Sequence, residues 1–386
     1  MLRPGSAIVL CALALLCIGV IAVNSAGLSV GTGTGVTLQS ILLSRTTGLM
    51  LAAMVALLAT SLLPVDRLVS RPDLGRWALG LYLLTVAVIA LPYIPGIAHE
   101  AKGSARWVTL PLLGTMQPSE LAKWGVLLLL AWYGARHAST MHHFRRGVLT
   151  PLLLVGVLVA IIGYQDLGTA VLIAGVATLM LVAAGARVAH FLPAVPAAAG
   201  LAALAFISAP YRVRRVTAFL DPYSDPRNEG YHLIQSLVAI ANGEGHGRGI
   251  GFGLQKFGYL PEDRTDFVFA VICEEAGIAG AAVVVSLYIA LIWSGWRIVR
   301  AQPHPALRLL GLGIIATLGS QAIMNLMVVT GMVPTKGIAL PLLSSGGTGW
   351  IVTGAALGLL VAMDHATADD AEAEATLPVA AGVETG

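Results

Sequence analysis

The sequence predicts an all-α polytopic membrane protein of about ten transmembrane helices, with one large extracytoplasmic loop between spans seven and eight. Two observations carry that prediction. The 386 residues are 57% hydrophobic and only 11% charged, with a mean hydropathy of +0.83, whereas about a quarter of the residues of a soluble domain are charged. Apolar runs of hydrocarbon length also recur along the chain, interrupted by one long polar stretch, residues 211–275, rich in Arg, Gly and Asp. A net charge of +3 gives no basic excess, and no nucleic-acid partner is expected. Cys11, Cys17 and Cys273 show no C-x-x-C spacing and fall in or beside apolar runs, so they read as small core residues rather than a disulfide or zinc framework.

Residues 7–23 form the first apolar run, preceded by Arg3. Asn24-Ser25-Ala26 would also suit the end of a signal peptide, but the many spans that follow favour a retained helix. Residues 46–63 and 77–91 are the second and third spans, with Arg67, Arg71 and Arg76 between them. A polar loop after Pro92 contains Gly103-Ser104-Ala105-Arg106-Trp107. It ends at Gln117-Pro118-Ser119-Glu120, where Pro118 and Glu120 suit the first turn of span four. Glu120 and Lys123 are neighbours on one helix face. They form either an ordinary helix-end ion pair or, because charge at membrane depth costs about 2.5 to 3.5 kcal/mol, part of an internal cavity. Residues 136–146 are basic, and His142 and His143 are adjacent rather than at metal-ligand spacing.

Residues 148–163 and 167–184 are spans five and six, separated by Tyr164-Gln165-Asp166, and residues 193–208 are span seven. Beyond the large loop, 267–296, 309–330 and 350–363 complete the set. The stretch from Gly331 to Pro341 is broken by Gly and Pro in a way tolerated at membrane depth only where backbone lines a cavity or packs in protein. Residues 1–363 therefore read as a single transmembrane domain, and 364–386, acidic and Ala-rich, as a disordered tail. Loops on the side of the termini carry about eleven Lys/Arg and the short opposite loops about four, so both termini are expected in the cytoplasm. The large loop, 209–265, then faces outward; at its length it translocates largely regardless of charge.

Within that loop, Ile234, Leu237, Val238 and Ala241 recur at helical spacing, predicting a short amphipathic helix that lies in the interface or packs on the bundle. From Gly243 to Gly253 every second residue is glycine; without G-K-[ST] this is no nucleotide loop, and it reads as a pliable, substrate-facing segment or a simple linker. Arg212, Arg214 and Arg215 suit either diphosphate binding or membrane-surface anchoring.

Four words in order, RRVTAFLDP (214–222), GYHLIQSLVAI (230–240), QKFGYLPE (255–262) and TDFVFAVICEE (265–275), resemble the large extracytoplasmic loop of the SEDS family, the FtsW, RodA and sporulation relatives that polymerise peptidoglycan from lipid II. Arg106-Trp107, QPSE-x-x-K, Asp166-Leu167-Gly168-Thr169 and Met332 to Gly337 add to the likeness, which runs from Arg106 to Leu360 and is nearer to the FtsW branch than to the RodA one. Gln165 stands where the family has proline, Arg264 where it has histidine, and Ser345 where tyrosine is more frequent. The resemblance implies a peptidoglycan glycosyltransferase of the bacterial cytoplasmic membrane, at the division septum, with lipid II and the growing lipid-linked strand as substrates. It implies a class B penicillin-binding transpeptidase, other division proteins and membrane lipid as partners. The family's catalytic aspartate falls on Asp266.

That assignment suits the chemistry. A lipid-linked diphosphate leaves readily as an anion, so one carboxylate taking the acceptor's proton suffices, unlike the carboxylate pairs of glycoside hydrolases. Arg264, two residues away, would tend to weaken that base, and a helix-cap role is the plain alternative for Asp266. Glu262, Asp263, Glu274 and Glu275 are rival carboxylates; at 100° per residue Glu274 lies about 80° around the helix from Asp266 and Glu275 about 180°, which makes Glu274 the expected cavity neighbour. Glu120, Lys123, Asp166, Arg106, Arg215, Lys256 and Lys336 complete the expected substrate-binding set. No cofactor is required, although a divalent cation could attend the diphosphate. A lipid II flippase using Glu120, Lys123 and Asp166 as its path, an elongation polymerase and a non-catalytic scaffold are the competing readings.

Overall fold

The computed structural model describes residues 2–26, 38–94, 98–101, 104–110, 114–207, 210–255, 259–345 and 347–375. Among them the helices are α1 (Pro4–Ala26), α2 (Leu38–Leu42), α3 (Arg45–Ser61), α4 (Val65–Val69), α5 (Leu74–Ala90), α6 (Pro118–Arg136), α7 (Leu149–Gln165), α8 (Leu167–Ala183), α9 (Ala194–Ile207), α10 (Pro210–Leu220), α11 (Tyr231–Asn242), α12 (Val268–Ala301), α13 (Pro305–Val329) and α14 (Thr348–Ala375). The chain is an all-α polytopic membrane protein. A helix stands at each expected span, namely α1, α3, α5 to α9 and α12 to α14. Six of these, α1, α5, α7, α12, α13 and α14, are long and apolar enough to cross a membrane by length and composition.

Local sequence explains the helix ends. Ser44 caps α3, its hydroxyl accepting from the Thr47 amide at 3.2 Å, and Pro118 opens α6 with Glu120 in the first turn and Arg136 in the last, which matches the helix dipole. The polar loop before α6 is not wholly irregular. It holds an antiparallel three-stranded sheet, β1 (Ala98–Ala101), β2 (Ser104–Leu110) and β3 (Gly114–Met116), with Val108 opposite both Ala98 and Met116. The aromatic and β-branched run Trp107-Val108-Thr109 favours strand there, and β3 delivers the chain directly to Gln117.

Small residues set the helix contacts. α14 packs along α3 and α1, and α1 also packs on α12. A Cβ at Gly354 or Gly358 would collide with the Ala53 or Leu57 carbonyl of α3. This small-xxx-small spacing brings the two backbones together in a setting where helices associate by close packing rather than by the hydrophobic effect. The Thr60 hydroxyl adds a bond to the Ala355 carbonyl at 2.8 Å. Of the six long apolar helices α13 has the most buried apolar window, 61% against 22% for α5. It contacts α6, α8, α12 and α14, so Thr317, Gln321 and Asn325 on α13 face protein.

Two expectations are corrected. The chain past Asp364 continues helical to Ala375 rather than starting a disordered tail there, because Ala and Glu are strong helix formers and the Asp364 carboxylate is anchored by the Gly5 amide at 3.0 Å; residues 376–386 lie outside the described set. The amphipathic helix forms as α11 and packs on α12 and α13. However, its buried face is Leu233, Ser236 and Ala239, with Leu237 41% exposed. Ser236 turns inward because its hydroxyl is satisfied by the Val329 carbonyl at 2.7 Å, so a hydroxyl occupies the buried face in place of a larger apolar group.

Candidate active site

The start of α6, the α7–α8 junction, the start of α12 and the segment between α13 and α14 meet at one end of the bundle. Lys123, one turn into α6, is 3% exposed. Its ammonium donates to Glu120 Oε1 at 2.9 Å and to Gln321 Oε1 on α13 at 2.7 Å, and lies 2.8 Å from Glu120 Oε2. Gln321 passes the chain on, donating from Nε2 to the Ala339 carbonyl at 2.9 Å. Glu120 keeps 22% exposure into a cavity of about 50 Å³ that Gln117, Gln321, Ser344 and Trp350 also line. In the structure the ammonium of this pair is buried and its carboxylate opens into the cavity.

Asp166 is buried at the N-cap of α8, accepting from the Thr169 amide at 3.1 Å and its hydroxyl at 2.8 Å. Gln117 Nε2 also donates to its Oδ2, at 3.0 Å. Gln117 thus lines both the Glu120 cavity and a second one of about 30 Å³ shared with Asp166. Lys336, on the irregular segment before α14, is held below the usual lysine range by burial, an effect that the nearby Asp166 carboxylate opposes. Through Gln117 and Gln321 these contacts link Glu120, Lys123 and Asp166 into one polar region, with Lys336 within electrostatic reach of Asp166.

Asp266 is half-buried just before α12. It is not the cap: Phe267 occupies that position, without a side-chain capping bond. The turn that presents it is built by Glu262, a non-glycine at φ 58, whose carbonyl accepts from the amides of Thr265 and Phe267, both at 3.1 Å. From below, Asn325 of α13, 1% exposed, donates to the Asp266 carbonyl at 2.8 Å and to the Ile338 carbonyl at 2.7 Å. From above, Gly337 lies against the carboxylate, and a Cβ there would stand 3.1 Å from Asp266 Oδ2. The Ser345 amide donates to the Arg264 carbonyl at 2.8 Å, while the Arg264 side chain is exposed. Asp266 is therefore fixed between α13 and the segment that carries Lys336.

Other expected members lie elsewhere. Glu274 is fully buried, and its oxygens accept from the amides of Leu254 at 3.0 Å and Gln255 at 3.2 Å; it holds the end of the glycine loop rather than joining Asp266. The helical angle misled because α12 begins only at Val268, so Asp266 is not on the helix from which the angle was measured. Glu275 is bound by the Ser25 hydroxyl of α1 at 2.8 Å. The glycine loop lies backbone-first on α12: a Cβ at Gly243 or Gly247 would collide with the Cys273 or Glu275 carbonyl, and Gly245, Gly247, Gly249 and Gly251 have φ between 78° and 97°, which glycine adopts without penalty. Arg215 pairs with Glu229 at 3.4 Å, and Arg212 donates to the Tyr164 carbonyl at 2.7 Å. Arg106 belongs to β2 with its side chain outside the described residues, as is Lys256 altogether.

Gln321 and Asn325 were not anticipated. The signal was present, since Thr317, Gln321 and Asn325 recur every fourth residue and so form one polar face in an otherwise apolar span.

Comparison with known proteins follows the same outline. The cell cycle protein family of FtsW, RodA and SpoVE matches residues 6–369. A probable peptidoglycan glycosyltransferase FtsW from Geobacter sp. (strain M18) is 40% identical over 288 residues, 74% of this chain and 78% of its own. That from Alkalilimnicola ehrlichii is 37% identical over 358 residues, covering 92% and 87%. Among solved structures, a chain from work on the structural coordination of polymerization and crosslinking by a peptidoglycan synthase complex superposes with a TM-score of 0.70 at 28% identity, covering 93% of this chain and 97% of the other. The rod shape determining protein RodA of Thermus thermophilus gives 0.59 at 26% identity, covering 93% and 95%.

Proposed function

The chain belongs to the FtsW, RodA and SpoVE family of cell cycle proteins, and from that premise we propose that it polymerises lipid II into β-1,4 glycan strands for septal wall synthesis, with Asp266 as the catalytic base. Its near relatives are named as FtsW glycosyltransferases. The observation that carries the residue assignment is the clamped position of Asp266, held by Asn325 and pressed against Gly337 at the mouth where Lys336 also sits.

The acceptor hydroxyl oxygen attacks the anomeric carbon, its proton passes to the Asp266 carboxylate, and the bond from that carbon to the diphosphate breaks with the electron pair leaving on the diphosphate. Lys336 supplies positive charge beside the leaving group, and the closed seat of Asp266 fixes the geometry at which the two lipid-linked sugars meet. Among the described residues no three His, Cys, Asp or Glu side chains gather as a ligand set; a divalent cation on the diphosphate would draw its ligands mainly from phosphate oxygens and water.

The chain is a multi-pass protein of the bacterial cytoplasmic membrane; we place both termini in the cytoplasm and the Asp266 mouth on the outer face, at the septum. A class B penicillin-binding transpeptidase is its partner for crosslinking, in keeping with the synthase complex that the chain resembles in fold. Asp266→Asn and Asp266→Ala should abolish polymerisation of purified lipid II while leaving the melting temperature and partner binding intact. Glycan synthesis undiminished in either variant sinks the catalytic assignment. Loss of outward lipid II appearance in cells whose other flippases are blocked would favour transport instead.

A further inference from the structure

At the opposite end of the bundle, two connections hold a set of cations that the polymerase reading does not use. The α6–α7 connection carries His142, His143, Arg145 and Arg146, and the α8–α9 connection carries Arg187 and His190. They are docked on each other. Met141 is fully buried, Gly185 turns at φ 108 with room for a Cβ only 3.6 Å from the Met141 Cβ, and the Phe144 and His190 rings meet edge-on at 5.8 Å. The His142 and His143 rings lie 3.9 Å apart. His142, Arg146, Arg187 and His190 all act on His143, whose imidazole their positive charge holds below the usual histidine range.

Among the described residues this concentration of charge has no carboxylate counter-ion. The sequence has no Asp or Glu between Glu120 and Asp166, and none between Asp166 and Asp221; Asp166 itself is at the far end of α7. Among the described residues Arg145, Arg146 and Arg187 have no carboxylate partner. Directly beside the cations runs an apolar wall open to the surroundings: Leu153 and Val157 on α7 are 59% and 55% exposed, and Val188, Leu192 and Val195 leading into α9 are 69%, 65% and 58% exposed.

We infer that this juxtaposition, Arg145, Arg146 and Arg187 clustered over an exposed apolar wall between α7 and α9, is a binding site for one anionic diacyl phospholipid of the adjoining leaflet. The phosphodiester sits among the guanidinium groups, which present planar forks suited to phosphate oxygens. The acyl chains lie along Leu153, Val157, Leu192 and Val195. A soluble anion would satisfy the charge and leave the wall unused, whereas a zwitterionic lipid would cover the wall without neutralising the charge. Only an anionic amphiphile matches both.

The test uses the full chain purified in detergent, titrated with phosphatidylglycerol or phosphatidylcholine and read by native mass spectrometry as retained lipid adducts. The wild type should retain phosphatidylglycerol at least fivefold better than phosphatidylcholine, and the Arg145→Gln, Arg146→Gln, Arg187→Gln triple variant should lose that preference. All three side chains are exposed, so the melting temperature of the triple variant should match the wild type. The control replaces Arg297, Arg300 and Arg308, three exposed cations at the same end, and should retain the preference. Equal loss in the control would mean diffuse surface charge and would overturn the site. Equal retention of the two lipids, an unaltered triple variant, or displacement by millimolar glycerol 3-phosphate as effective as by lipid would overturn it too.

Discussion

Lys123 gives the sharpest quantitative test of the polar interior. Its ammonium is 3% exposed and engages Glu120 at 2.8 Å and Gln321 at 2.7 Å. Removing one partner of a buried pair costs about 3 to 5 kcal/mol, because the charge left behind is uncompensated, whereas an exposed pair is worth about 0 to 1 kcal/mol. Glu120 retains 22% exposure into the cavity, so water reaches the stranded carboxylate and the lower end, about 3 kcal/mol, is expected for Lys123→Met, which keeps the packing of the stem. At about 2 to 4 °C per kcal/mol, the melting temperature should fall by roughly 6 to 12 °C. If the cost arises from the stranded charge, Lys123→Met combined with Glu120→Gln should recover about half of it or more, since the neutral amide no longer needs a cation. Thermal unfolding of the four proteins of this cycle in one detergent is the assay. A single variant melting within a degree of the wild type, or a double variant no more stable than Lys123→Met, would refute the internal-pair account.

Further outcomes follow from other contacts. Asn325→Leu removes both donors that fix the carbonyls of Asp266 and Ile338, so kcat for lipid II polymerisation should fall at least tenfold with KM little changed, and stability should drop by about 2 kcal/mol; a KM effect alone would argue against a positioning role. Gly358→Val drives a side chain into the Leu57 carbonyl and should cost about 3 kcal/mol by forcing α3 and α14 apart, whereas Gly156→Val, at an open position, should melt like the wild type. For orientation, a cysteine at Ser224 should react with a membrane-impermeant thiol reagent in intact cells and one at Ser139 only after permeabilisation; labelling at Ser139 without permeabilisation would place the Asp266 mouth on the wrong face.

Much of this molecule is determined by sequence alone. Hydrocarbon-length apolar runs admit few structures besides helices in a membrane, because every backbone polar group must be satisfied within the segment; hence a helix stands at each of the ten expected positions. The charged residues that need partners were equally legible, since a charge such as Lys123 or Asp166 beside an apolar span must find one, and the likeness of the loop words marked Asp266 as the base proposed above. What the sequence could not supply is which partner each group finds. Glu274 and Asp266 are eight residues apart, yet Glu274 turns away to two loop amides and Asp266 is held by Asn325 of another span, because α12 starts after Asp266 and breaks at Gly277, at φ 63. The alternating glycines suggested pliability; the tertiary structure uses Gly243 and Gly247 to lay the loop backbone-first onto α12, where a side chain at either would strike a carbonyl. Gln321 and Asn325 acquire their roles only when α13 is placed at the centre of the bundle, since a polar stripe becomes part of a site through what packs against it. Helix formation in a membrane is a local requirement that each segment meets by itself, whereas the satisfaction of buried polar groups is a requirement between segments, which only their packing decides.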